Sequence, residues 1–200
     1  MAGLIGVFGG TFDPPHLGHT ILAYESVHAF DLEKVLWVLT EMPPHKPDHP
    51  ITPLGIREEM LQVAIQGFPA FELSRVDIDR PGPHFAEGTL RCLRESAPET
   101  RYAYLMGEDS LRDLPTWHAP LEFIALCDML VVMHRADIGV DLGALEEVLP
   151  GIRDKVQFSK APKVDIAASD IRKRVRNDLP YEHLVHHEVA RIIRRHQLYR

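Results

Sequence analysis

The chain has 200 residues, 45% of them hydrophobic and 26% charged, with a formal net charge of −7, ordinary values for a globular protein with one sizeable core. No apolar run approaches the roughly 18–20 residues that cross a bilayer, no basic segment introduces the opening residues as in a secretory leader, and two cysteines, Cys92 and Cys127, are too few for a disulfide framework. A membrane protein is therefore not expected, a reducing cytoplasm suits the thiols, and the acidic surplus speaks against a nucleic-acid partner, whose phosphates need clustered cations.

In chain order, "LIGVFG" is a short apolar run that stops at Gly9 and Gly10. Pro14 and Pro15 stiffen the turn that follows. A helix is expected from His16–Leu17 onward, with Leu17, Ile21, Leu22, Tyr24 and Val27 at helical spacing. "KVLWVLT" reads as a strand covered on both faces. The proline-rich segment "EMPPHKPDHPITP" leads into a helix over "LGIREEMLQVAI", with Thr52 predicted as its N-cap and Pro53 as its first residue. "FELSRVDI" is predicted to be a strand and "FAEGTLRCLRES" a helix. "RYAYLMG" and "DMLVVMH" are further strands, with the helix "PLEFIALC" between them. Beyond about residue 160 the pattern changes to short helices, "SDIRKRVRN" and "HHEVARIIRRHQL".

Strands alternating with helices imply βαβ units joined by right-handed crossovers. The expected fold is α/β: a Rossmann-like, doubly wound parallel sheet over residues 1–160, followed by a small helical C-terminal part over residues 161–200. Charge divides along similar lines. Residues 151–200 hold 12 of the 22 lysines and arginines but only 6 of the 29 acidic residues. That basic end either receives an anion or is a solvated helix face.

The opening stretch "GVFGGTFDPPHLGHT" should lie at the C-terminal end of the first strand, where open parallel sheets collect ligands. Gly9 and Gly10 lack a Cβ and let a bulky ligand approach the backbone. The helix that starts at His16 points its unpaired N–H groups and positive dipole end into the same place, which suits phosphate. His16 and His19, three residues apart, share one helix face and can hydrogen-bond phosphoryl oxygens. Zinc is the competing use of two such histidines, but HExxH is absent and no third ligand follows nearby. The Walker pattern and GxGxxG are both missing.

"GGTFDPPHLGH" resembles the signature of the nucleotidyltransferase superfamily that shares an H-x-G-H motif, and within it the bacterial nicotinate-nucleotide adenylyltransferases. "PPHKP", "MGEDSLRDLPTWH", "SDIRKRV" and "VARIIRRHQLYR" continue the likeness in order along the chain. The resemblance implies adenylyl transfer from ATP to nicotinate mononucleotide, giving deamido-NAD and pyrophosphate. It implies ATP binding by Gly9, Gly10, Thr11, Phe12, His16, His19, Gly107, Asp109, Ser169 and Arg172. His16, His19, Lys46 and Arg172 form the implied catalytic set, and Thr40, Lys46, Phe85, Ala86, Trp117 and His118 the acceptor site. Residues 161–200 would then complete the ATP phosphate site. Mg2+ is expected to arrive with the ATP phosphates, so no side chain is assigned as a metal ligand.

The chain departs from the family in places. Ala167, Ala168 and Ser169 stand where Ser-Ser-Thr is common, so two hydroxyls are lost. His84, Phe85 and Ala86 replace a Ser/Tyr/Thr cluster, and His118 replaces a frequent tyrosine. Arg135, Ala136 and Asp137 replace Arg-Pro-Gly. These keep two rivals in play: an adenylyltransferase for another acceptor (nicotinamide mononucleotide or phosphopantetheine), and a catalytically silent nucleotide-binding regulator. Oligomeric state stays open.

Overall fold

The structure, a computed structural model, describes residues 3–41, 51–134 and 139–200. The elements run β1 (Leu4–Gly10), α1 (Leu17–Ala29), β2 (Leu32–Leu39), α2 (Leu54–Ile65), β3 (Phe71–Ser74) and α3 (Ala86–Ser96) in the first half. The second half has β4 (Arg101–Gly107), α4 (Glu108–Asp113), α5 (Pro120–Leu126), β5 (Met129–Met133), α6 (Leu142–Val148), α7 (Ile152–Lys155), β6 (Val156–Ser159), α8 (Ala168–Arg176) and α9 (His187–Arg195). The six strands form one sheet in the order β3-β2-β1-β4-β5-β6, and every pairing is parallel. The order reverses direction between β1 and β4, so the crevice of this doubly wound sheet opens above the ends of those two strands.

Alternation within the strands explains the layers. In β2, Leu36 and Val38 face one apolar cluster with α3 and α5, whereas Val35, Trp37 and Leu39 face the other beneath α1 and α2. A strand buried on both faces reads as a continuous apolar run, as "KVLWVLT" does. A third cluster joins Met60 and Ala64 of α2 to Ile171 of α8 and to Val189, Ala190, Ile192 and Ile193 of α9. The helical C-terminal part is thus seated on α2.

Three local expectations are corrected. β3 ends at Ser74 rather than at Ile78. The chain turns there because the Ile78 and Asp79 amides both donate to the Arg75 carbonyl, while Asp77 is drawn inward to Arg80 and Thr89. Pro53, not Thr52, is the N-cap of α2 (φ −49°, ψ 140°). The Thr52 N–H donates instead to Asp13 and its carbonyl accepts from Arg57. Finally, α6, α7 and the edge strand β6 occupy a stretch where no element was expected. β6 is only four residues long and buries its two end residues, too short a stretch to show a period.

Candidate active site

β1 delivers Gly9 and Gly10 to the crevice. A Cβ on Gly9 would lie 2.6 Å from the Tyr104 hydroxyl, so only glycine fits without displacing that ring. Phe12 then takes φ 45°, a left-handed conformation disfavoured for an aromatic residue. Its ring supplies the compensation: it is 3% exposed and packs against Phe8, Trp37 and His19. Phe12, expected to line the nucleotide site partly through backbone groups, has its side chain in the core.

His16 is the N-cap of α1 (φ −141°, ψ 168°). Its ring stacks on that of His19 at 3.5 Å with 22° between planes. The His16 N–H donates to His19 Nδ1 at 3.1 Å. An accepting Nδ1 places the ring proton of His19 on Nε2. One histidine pair therefore both caps the helix and presents a donor beside its electropositive end.

Two adjoining cavities surround this point. The larger, about 480 Å³, is lined by Gly9, Gly10, Thr11, Thr40, Phe85, Ala86, Asp109, Trp117 and His118 among others, a volume typical of small-ligand sites. The smaller, about 240 Å³, is lined by Gly9, His16, His19, Gly107, Asp109 and Trp117 among others. The structure thus brings most of the expected residues into two groups that share a wall. Gly107 is the N-cap of α4, and Asp109 lies in that helix's first turn. Trp117 is tilted on Phe123 at 5.3 Å, so it serves the core on one side and both cavities on the other. His118 stacks flat on Phe85 at 4.2 Å, and its Nδ1 lies 2.8 Å from the buried Glu87 carboxylate.

Arg172 and Ser169 line neither cavity. Arg172 Nη1 donates to the Asp13 carbonyl at 2.7 Å, which fastens α8 to the turn after β1. Ser169 is exposed in the first turn of α8, whose N-cap, Ala167, offers no side-chain bond. The missing hydroxyls at 167 and 168 thus leave that helix end without a side-chain cap. Lys46 and the Arg135–Asp137 turn lie outside the described residues.

Several site-building residues escaped sequence reasoning. Arg57, 2% exposed, spends its guanidinium on four carbonyls: Thr52 at 2.8 Å, Thr11 at 3.0 Å, Thr40 at 2.8 Å and Glu41 at 2.6 Å. Burial pulls its pKa below the usual arginine range, against the opposing pull of Asp13. The signal was a charge on the buried face of α2, in register with Met60, Leu61 and Ala64. Asp13 is a second node, accepting from the Thr52 N–H at 3.2 Å and the Tyr199 hydroxyl at 2.6 Å. Burial raises the Tyr199 pKa, and Asp13 adds to the rise, so the phenol stays a donor. In the larger cavity, Asp77 accepts from Arg80 and Thr89, and buried His84 places Nε2 3.5 Å from Glu41.

A sheet in this order, with a glycine turn, an imidazole pair on a helix N-terminus and paired cavities at the switch point, is the build of a nucleotide-binding transferase. The comparisons agree. The model of the cytidylyltransferase-like family matches residues 7–174, and the chain belongs to that family. A protein from Thermomicrobium roseum named probable nicotinate-nucleotide adenylyltransferase is 44% identical over 196 residues, covering 98% of this chain and 91% of that protein. A protein of the same name from Dehalococcoides mccartyi is 37% identical over 195 residues, covering 97% of this chain and 96% of its own. Among solved structures, the Plasmodium falciparum nicotinic acid mononucleotide adenylyltransferase complexed with NaAD aligns with a TM-score of 0.83 over 98% of this chain and 97% of that one. At 17% identity, that likeness speaks for the fold. Among the described residues no helix is long and apolar enough to cross a membrane.

Proposed function

We propose that this chain transfers the adenylyl group of ATP to nicotinate mononucleotide, giving deamido-NAD and pyrophosphate, a step of NAD biosynthesis. The observation that carries the reading is the wall shared by two cavities, with the imidazole pair on one side and an aromatic-lined chamber on the other. The names of the curated relatives point the same way.

In this reading ATP lies with its phosphates at the head of α1. His19 Nε2–H and the helix-end amides donate to phosphoryl oxygens, where charge grows as pyrophosphate departs. The acceptor lies in the larger cavity with its pyridine ring near Trp117 and Phe85. The ring's carboxylate faces the first turn of α3, whose positive end favours an anion. The acceptor's 5′-phosphate oxygen attacks the α-phosphorus in line, the bond to the bridging oxygen of pyrophosphate breaks, and no side chain acts as nucleophile. Positioning and charge stabilisation supply the catalysis. Arg172 and Ser169, which line neither cavity here, are assigned with residues 161–200 to the phosphate side, where Arg172 already meets the turn after β1, and Lys46 contributes a point charge.

The family's divalent metal is assigned here as Mg2+. Among the described residues no three His, Cys, Asp or Glu side chains converge to hold an ion. An ion that keeps several waters and is held chiefly by substrate phosphates fits that donor set; when bound, it supplies charge neutralisation on the triphosphate. The free thiols, with Cys127 buried, suit a cytoplasmic setting.

The test is a pyrophosphate-release assay with ATP, Mg2+ and each of nicotinate mononucleotide, nicotinamide mononucleotide and phosphopantetheine. Release is expected with the first acceptor. Preference for another acceptor overturns the substrate assignment, and release with none supports a silent regulator.

A further inference from the structure

β1 and β4 run side by side with Val7 opposite Tyr104. Successive residues alternate faces, so Gly9, two places beyond Val7, shares the face from which the Tyr104 ring rises. The phenol extends over Gly9, with its oxygen where a Cβ would begin to clash. Phe123 meets the ring edge-on at 4.9 Å and Trp117 at 6.3 Å, which fixes its direction.

Tyr104 lines both cavities. The residue is 6% exposed, with its ring packed in the core and its hydroxyl end at the cavities. Here the hydroxyl stands at the junction of two ligand chambers. Burial also raises its pKa, keeping it a neutral donor. The side chains with polar atoms common to both cavities are Tyr104, Asp109, Ser110 and Trp117. A carboxylate repels phosphate, so donation at the junction falls to the two hydroxyls and the indole N–H, and of these only the Tyr104 hydroxyl rises from the sheet floor over Gly9.

We propose that the Tyr104 hydroxyl donates a hydrogen bond to a non-bridging phosphoryl oxygen where the ATP α-phosphate and the acceptor phosphate meet. The inference rests on the adenylyl-transfer reading: substrates seated in separate chambers react only where the chambers join. Tyr104 is then a catalytic residue, and Gly9 is glycine to make room for it.

The test is Tyr104→Phe, which removes one oxygen and keeps the ring packing. Steady-state pyrophosphate release should show kcat/KM reduced about 10- to 100-fold, the scale for a hydrogen bond to a charged group. The thermal midpoint should stay unchanged. If the wild-type chain turns over and the variant matches it in kcat and both KM values, the proposal is overturned by itself. A variant altered only in thermal midpoint also overturns it, because the hydroxyl is then structural. A wild-type chain that releases no pyrophosphate with any acceptor overturns the transfer reading, and this proposal with it.

Discussion

Replacing Arg57 by methionine tests whether one buried guanidinium holds the walls of the larger cavity. Methionine keeps an unbranched apolar stem of similar reach but removes all four bonds to the Thr52, Thr11, Thr40 and Glu41 carbonyls. Hydrogen bonds to a charged donor contribute roughly 1.5–3 kcal/mol each, so the gross loss is about 6–12 kcal/mol. Two effects reduce it. The desolvation that lowers the Arg57 pKa disappears with the charge, and water reaches some of the released carbonyls. The net cost should fall near 3–5 kcal/mol, the range for breaking a buried charged contact. At about 2–4 °C per kcal/mol for a chain of this size, the thermal midpoint drops by roughly 6–20 °C. Calorimetry measures this directly. Because Thr40 and Thr11 line the larger cavity, the acceptor KM should rise as well. Arg57→Lys keeps the charge, but an ammonium cannot span four carbonyls, so it should recover less than half of the loss. A methionine variant that unfolds within about 4 °C of wild type, roughly 1 kcal/mol, with an unchanged acceptor KM would refute the clamp.

His19→Ala should lower kcat by about 10²–10³, the effect of removing one preorganised donor, while His19→Asn, whose side-chain oxygen can still accept from the His16 N–H, should keep the helix cap and unfold near the wild-type temperature with the same loss of turnover. Equal turnover in His19→Ala and wild type would remove this imidazole from the mechanism. Tyr199→Phe takes a donor from buried Asp13 and should cost about 1–2 kcal/mol in denaturant unfolding; an unchanged midpoint would show that Asp13 needs no phenol. His186, the N-cap of α9, accepts from the Glu188 N–H at 3.3 Å, and burial, then neighbouring His187, lowers its pKa. A lowered histidine pKa favours the neutral folded form, so this contribution is complete above the unfolded value of about 6.5. It is lost as pH falls below that value and levels off beneath the folded pKa. His186→Asn should flatten the stability curve just below about pH 6.5; an unaltered slope would place the titration elsewhere.

Much of the fold was legible because its signals are local. An apolar run such as "KVLWVLT" reports two covered faces by itself, and a glycine pair followed by prolines and spaced histidines reports a strand, a turn and a helix start within 15 residues. What stayed hidden depended on distant partners. Nothing near Arg57 indicates that its bonds lie on Thr11 and Thr40, 46 and 17 residues away. Thr52 has the chemistry of an N-cap, but Asp13 claims its N–H, and Pro53 takes the cap. Phe12 belongs to a ligand-binding motif by sequence, yet its left-handed backbone swings the ring into the core and leaves the crevice to its neighbours. The pairing of His118 with Glu87 joins two elements 31 residues apart and has no local trace.

The bond between Asp13 and Tyr199 spans 186 residues, and translation imposes a schedule on it. At about 5–20 residues per second, Asp13 leaves the ribosome's catalytic centre roughly 10–40 s before its phenol partner is made. The turn after β1 is therefore made well before the residue that pins it, so a nascent chain can hold α1 before the Asp13–Tyr199 bond forms.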